Sequence, residues 1–259
     1  MPRQRADRPR VFCIGWHKTG TSTLGYALLE LGYSVVGCRL DMVHPLRRGD
    51  FREVLDLAGD FDALQDVPWA ALYRELDQRY PGSRFILTER NEDSWLRSAS
   101  RHFGTTDVPL HEWLYGAGVL NGNEALYRER YARHNREVRE YFRDRPEDLL
   151  VMNFAEGDGW DALCGFLGHE RPAKRFPHAN KGPQSFNTLD KSVNWLRAVV
   201  PLPIRRAIFA LRQVIRDRLG RPDPRNRFNN MVENRRERAN RSGVLPDPAV
   251  RGVPRRRDP

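Results

Sequence analysis

The sequence of 259 residues predicts an α/β fold in three layers: a parallel sheet of about five strands flanked by helices on both faces, followed by a basic helical C-terminal extension. Three observations carry this. Short apolar strand segments alternate with amphipathic helical ones along residues 10–182. A glycine- and hydroxyl-rich turn joins the first strand to the first helix. From residue 183 onward the composition shifts toward Pro, Arg and Asn, and the alternation stops.

Residues 10–15 read as a short buried strand that stops at Gly15. Residues 23–31 carry Leu24, Leu28 and Leu31 at helical spacing and close on Gly32. Residues 33–37 form a second short strand, 51–58 a helix, 62–66 a strand end, and 69–80 an amphipathic helix stopped by Pro81 and Gly82. Residues 84–89 are an apolar strand, followed by a helix over 93–102. A long charged helix covers 121–142, with a strand at 149–153 and a helix at 160–167. No internal repeat is visible.

Composition excludes several classes. Lys and Arg total 44 against 34 Asp and Glu, but residues 182–259 hold 18 basic and 7 acidic side chains, leaving the first 181 residues at a net −1. The isoelectric point near 10.0 therefore describes a tail, and argues for no nucleic-acid partner. An odd number of cysteines (Cys13, Cys38, Cys164) among apolar neighbours speaks against a disulfide framework and for a reducing, cytoplasmic location. The basic residues 1–9 precede any apolar stretch and do not read as a secretory signal, and no run of about 18 apolar residues exists to cross a membrane. No Cys/His/carboxylate group has metal-ligand spacing.

The first informative site is the turn Gly15-Trp16-His17-Lys18-Thr19-Gly20-Thr21-Ser22-Thr23. Between a strand and a helix, backbone N–H groups and the helix dipole favour an anion. Lys18 adds a full charge, and the hydroxyls of Thr19, Thr21, Ser22 and Thr23 are potential phosphate donors. A plain Ser/Thr-capped turn is the alternative, but it requires fewer of these groups. The turn is not a Walker A motif, because position 21 is Thr and the lysine comes earlier. A Mg²⁺-nucleotide-dependent phosphotransferase is thereby disfavoured.

Lys-Thr-Gly-Thr-Ser-Thr after a strand resembles the 5′-phosphosulfate loop of sulfotransferases that use 3′-phosphoadenosine-5′-phosphosulfate (PAPS). The second signature of that family is an Arg at a strand end with a Ser eight residues later; here these are Arg90 and Ser98. An Arg fork suits phosphate, and the Ser lies about two helical turns along. Lys181 and Gly182 look like the basic residue and glycine that close over the 3′-phosphate. The resemblance spans residues 10–182 and implies a P-loop-type fold. It also implies PAPS as donor, PAP as product and no metal, with Lys18, Thr19, Gly20, Thr21, Ser22, Thr23, Arg90, Ser98, Lys181 and Gly182 as cofactor ligands.

Cytosolic members carry a catalytic His in a His-Leu-Pro segment about two dozen residues before the phosphate-binding Arg. Here Asp66-Val67-Pro68 stands 24 residues before Arg90, so Asp replaces His. Asp66 is the candidate base, with a helix N-cap as its alternative role. His17 is the rival base, and Lys18 the candidate donor to the leaving oxygen. His44, His102 and His111 are not distinguished by spacing. Trp16, Trp69, Trp113 and Tyr115 read either as walls of an acceptor pocket or as core.

Ile204, Ile208, Leu211, Ile215 and Leu219 form an apolar helical stripe with arginines largely off it. Such a helix within 192–219 suits self-docking, a homodimer or a peripheral membrane contact. Residues 221–259 read as loosely docked or disordered. The expected activity is sulfuryl transfer from PAPS to a hydroxyl or amine on a small-molecule, carbohydrate or lipid-linked acceptor. A non-catalytic membrane- or partner-binding protein on the same scaffold is the reading from another class.

Overall fold

A computed structural model describes residues 8–178. Residues 179–259, with Lys181, Gly182 and the basic extension, lie outside the described residues, as do residues 1–7.

Five strands form one parallel sheet: β1 (Val11–Cys13), β2 (Val35–Val36), β3 (Ala63–Gln65), β4 (Arg84–Thr88) and β5 (Leu149–Met152), in the order β2-β3-β1-β4-β5. Central β1 pairs on one side with β3, Val11 opposite Ala63, and on the other with β4, Val11 opposite Arg84. The chain therefore leaves the sheet on one side of β1 at β3 and re-enters on the other at β4. In open α/β sheets such a switch opens a crevice beyond the carboxyl ends of the strands.

Alternation along the strands explains the layers. Phe12, Leu64, Phe85 and Leu87 point into one core, and Val11, Cys13, Ala63, Ile86 and Met152 into the other. The second core is covered by α1 (Thr21–Glu30) through Leu24, Ala27 and Leu28, and by α8 (Trp160–Leu167) through Trp160, Leu163 and Cys164. The first is the larger. It takes in α2 (Val43–Arg47), α3 (Phe51–Ala58), α4 (Tyr73–Arg79), α5 (Glu92–Phe103), α6 (Pro109–Tyr115) and α7 (Glu124–Tyr141).

In α7 the buried residues Tyr127, Tyr131, His134 and Val138 step by 4, 3 and 4, so one aromatic stripe docks a helix that is otherwise charged. Asn91 caps α5, its side-chain oxygen accepting from Ser94 N–H at 3.2 Å; Glu92 and Asp93 in the first turn and Arg101 and His102 in the last complement the helix dipole.

Apart from shifts of a few residues at element ends, the elements differ from the sequence reading as follows. Residues 69–80 divide into a 3₁₀ turn (Trp69–Leu72) and α4. The short helices α2 and α6 were not anticipated, because five and seven residues are too few to display a period. The second strand shrinks to two residues. Trp16 and Trp69 are fully buried core residues, and Trp69 Nε1 donates to Gly37 O at 2.8 Å; of the four aromatics read as wall or core, only Trp113 keeps partial exposure. Among the described residues no helix is long and apolar enough to cross a membrane.

Candidate active site

The loop after β1 is held against the end of β4. Thr19 Oγ1 contacts Trp16 O and Thr88 Oγ1, each at 2.6 Å. A Cβ on Gly15 would stand 1.9 Å from Thr88 Oγ1 and 2.5 Å from Thr88 O, so only glycine lets the loop lie this close. Gly20, at φ +103°, is the N-cap of α1 and carries no side chain to cap it; the ring of Phe154 rests where its Cβ would be. The first-turn N–H groups of a helix have no intrahelical acceptor, and an uncapped start offers them to an anion.

Two hydroxyls expected to serve as phosphate donors are committed elsewhere. Thr19 is buried and gives its proton to the Trp16 carbonyl, and Thr21 Oγ1 donates to Asp66 Oδ2 at 2.9 Å. Ser22 keeps partial exposure at the helix start, while Thr23, one residue further on, is buried.

Asp66 follows β3 directly. Its Oδ1 accepts from Val67 N–H at 2.8 Å, and its main-chain carbonyl accepts from Ala70 N–H at 3.1 Å, so it is tied to the 3₁₀ turn that Pro68 begins. Lys18 and Asp66, at φ 67° and 72°, are the non-glycine residues with positive φ among the described residues. Each such conformation costs of order 1–3 kcal/mol and clusters where a site requires it.

Desolvation raises the Asp66 pKa above 3.8, against hydrogen bonds from Val67 and Thr21 and the charge of Lys18, which lower it. Desolvation lowers Lys18 below 10.5; Asp66 opposes that shift while Arg90 and Arg101 reinforce it. Lys18, Asp66, Arg90 and Arg101 thus share one electrostatic neighbourhood at the carboxyl edge of the sheet.

Arg90 lies just past β4. Its Nε–H donates to Ser94 Oγ at 2.8 Å, and Ser94 Oγ donates to Asn91 O at 2.9 Å. The partner of its Nε is therefore Ser94, one turn before Ser98. Ser94, Ser98 and Arg101 follow at i, i+4 and i+7 on one face of α5.

His17, the rival base, is turned into the protein interior. Its ring is buried in the first core against Trp95, Phe103 and His111, its Nε2 pairs with Tyr115 OH at 3.0 Å, and Nδ1 is buried with no partner among the described residues. Burial, then the neighbouring His111, Lys18 and His102, holds its pKa well below 6.5. His111 is likewise buried, while His44 is exposed.

Sequence reasoning missed Thr88, Ser94, Trp95, Arg101 and Tyr131. Helical spacing from Ser98 offered a faint signal for Ser94 and Arg101; the others are joined to the site only by long-range contacts.

The donor set fits an anionic ligand with separated acidic groups. Lys18 and the uncapped start of α1 follow β1, and the guanidinium of Arg90 follows the neighbouring β4. A parallel α/β sheet with a glycine-bracketed, lysine-bearing turn at its carboxyl edge defines a phosphate-loop architecture. The chain belongs to the sulfotransferase domain family, whose model matches residues 10–185, and this places it among transferases. It is also similar to "Ava biosynthesis cluster protein M" of Aspergillus versicolor, 26% identical over 233 residues that cover 73% of this chain and 86% of that protein.

Proposed function

We propose that the protein transfers a sulfuryl group from PAPS to a hydroxyl or amine acceptor, releasing PAP. The observation that carries the reading is that Lys18, Asp66 and Arg90 all stand beyond the carboxyl ends of three adjacent strands, β1, β3 and β4, with Thr21 beside Lys18's loop donating to Asp66. PAPS, when bound, supplies the sulfuryl group and a leaving 5′-phosphate.

Lys18 and the start of α1 hold the 5′ end and offset the negative charge that grows there. Arg90, with Ser98 further along α5, holds the 3′-phosphate. Asp66 takes the acceptor's proton. The Thr21 and Val67 contacts fix the carboxylate while leaving a lone pair on each oxygen. Its raised pKa makes it a stronger base than an ordinary aspartate. Lys181 and Gly182 are proposed to complete the 3′-phosphate site, and residues 192–219 to serve in self-docking, dimer formation or peripheral membrane contact.

Thermal unfolding tests the reading directly. PAP at 100 times its Kd should add about 2.7 kcal/mol of stability. Arg90→Ala should remove the effect, and ADP with Mg²⁺ should do little. Stabilisation by ADP with Mg²⁺ and not by PAP would make the protein a phosphotransferase instead. Stabilisation by neither, with liposome binding, would favour the non-catalytic reading.

A further inference from the structure

We infer that Tyr131 and Trp95 are positioning residues that act as a buried strut between Arg90 and the Lys18 loop, setting the spacing by which the site selects a nucleotide phosphorylated at both the 3′ and 5′ positions. The inference rests on the PAPS reading and adds to it a pair of residues that touch neither phosphate.

Arg90 needs outside support because the sheet stops before it. The last ladder-like bond at this edge runs from Glu89 N–H to Met152 O, and α5 begins only after Asn91. Tyr131 of α7 supplies both missing partners with one hydroxyl: it accepts from Arg90 N–H at 2.9 Å and donates to Arg90 O at 2.8 Å. A buried tyrosine usually finds some partner. Here the partner is both main-chain groups of the arginine proposed to hold the 3′-phosphate. With Nε held by Ser94, the Arg90 guanidinium is anchored at both its root and its fork.

The other end of the strut reaches the loop. The Tyr131 ring stacks on Trp95 with centroids 4.2 Å apart and planes 6° from parallel. Trp95 Nε1–H then donates to His17 O at 2.8 Å, one residue before Lys18. Both rings are fully buried, so the path from Arg90 to Lys18 runs through rigid, close-packed aromatics rather than mobile side chains. The Thr19–Thr88 contact ties the same loop to β4. The strut adds a tie to α5 and α7, which the strand alone does not provide.

The test is calorimetric titration of the full chain with PAP and, separately, with 5′-AMP. Tyr131→Phe keeps the stack and loses both hydrogen bonds to Arg90. It should weaken PAP about tenfold, roughly 1.4 kcal/mol, and leave 5′-AMP within about twofold. Trp95→Phe keeps a ring and loses the bond to His17 O, and should weaken both ligands because the Lys18 loop serves both.

Tyr127→Phe is the control for general softening. Its hydroxyl donates to Ala117 O at 2.9 Å in the same aromatic cluster, and the ratio of the two affinities should not move. An unchanged ratio in Tyr131→Phe overturns the strut, as does an equal change in Tyr127→Phe. Should Tyr131→Phe not fold, Trp95→Phe decides from the loop end: 5′-AMP affinity equal to wild type overturns the strut. A wild-type protein that prefers PAP no more than 5′-AMP overturns the PAPS reading, and the strut with it.

Discussion

The Thr21 hydroxyl donates to Asp66 Oδ2 across 2.9 Å, tying the first residue of α1 to the residue that follows β3. The two belong to opposite requirements of one site: the helix start suits an anion, and the carboxylate suits a proton. Their contact places the candidate base against the glycine- and hydroxyl-rich turn, with Lys18 close enough to act on its charge.

Asp66→Asn separates chemistry from stability. A carboxyl whose folded pKa is raised stabilises the fold below its unfolded pKa and loses that contribution as pH rises through the folded value. At neutral pH the ionised side chain is therefore a cost that Asn removes. PAP release from PAPS should fall about 10²- to 10⁴-fold, with PAP binding retained and no lower melting midpoint at pH 7.5. Turnover within tenfold of wild type would assign the proton elsewhere.

The pH–rate profile should be bell-shaped. Its acid limb belongs to Asp66 and lies above the ordinary aspartate value; its alkaline limb belongs to Lys18 and lies below 10.5. Thr21→Val removes a hydrogen bond that favours the ionised carboxyl, so the acid limb should move to higher pH while the alkaline limb stays. An acid limb that stays in place would show that the Thr21 contact does not tune the base.

Gly15→Ala should be destabilising whatever the ligand. The new methyl group would meet Thr88 backbone and hydroxyl atoms that cannot move aside cheaply. A loss of about 3 kcal/mol corresponds to a midpoint roughly 6–12 °C lower by calorimetry. A smaller change would mean that the loop can lift from β4.

Acid should unfold the protein through its buried histidines. His17, His111 and His134 are all pushed down by burial, the last two to about 3. Their folded pKa values lie below the unfolded 6.5, so the unfolded chain binds more protons and stability falls as pH drops from 6.5 toward 3. Each can contribute up to about 1.4 kcal/mol per pH unit, with Asp66 opposing in sign. Urea midpoints between pH 4 and 8 measure the slope, and His111→Phe should flatten it by one proton.

Local signals determined much of this protein. Apolar runs, helical spacing and Gly or Pro punctuation sufficed for the five strands and the longer helices, because each is written within a dozen or so neighbouring residues. The same holds for the loop from Gly15 to Thr23, for Arg90 after its strand and for Asp66 before Pro68. Tertiary structure decided what those residues do with their polar atoms. Thr19 and Thr21 spend their hydroxyl protons on Trp16 O and Asp66, and His17 turns into the aromatic core. Arg90 takes Ser94 through its Nε and Tyr131, 41 residues away, through its main chain. The Trp16 and Ser94 contacts are local, but the Asp66 and Tyr131 partners and the desolvation arise from which surfaces meet when the helices pack on the sheet, and no pattern of nearby residues encodes those.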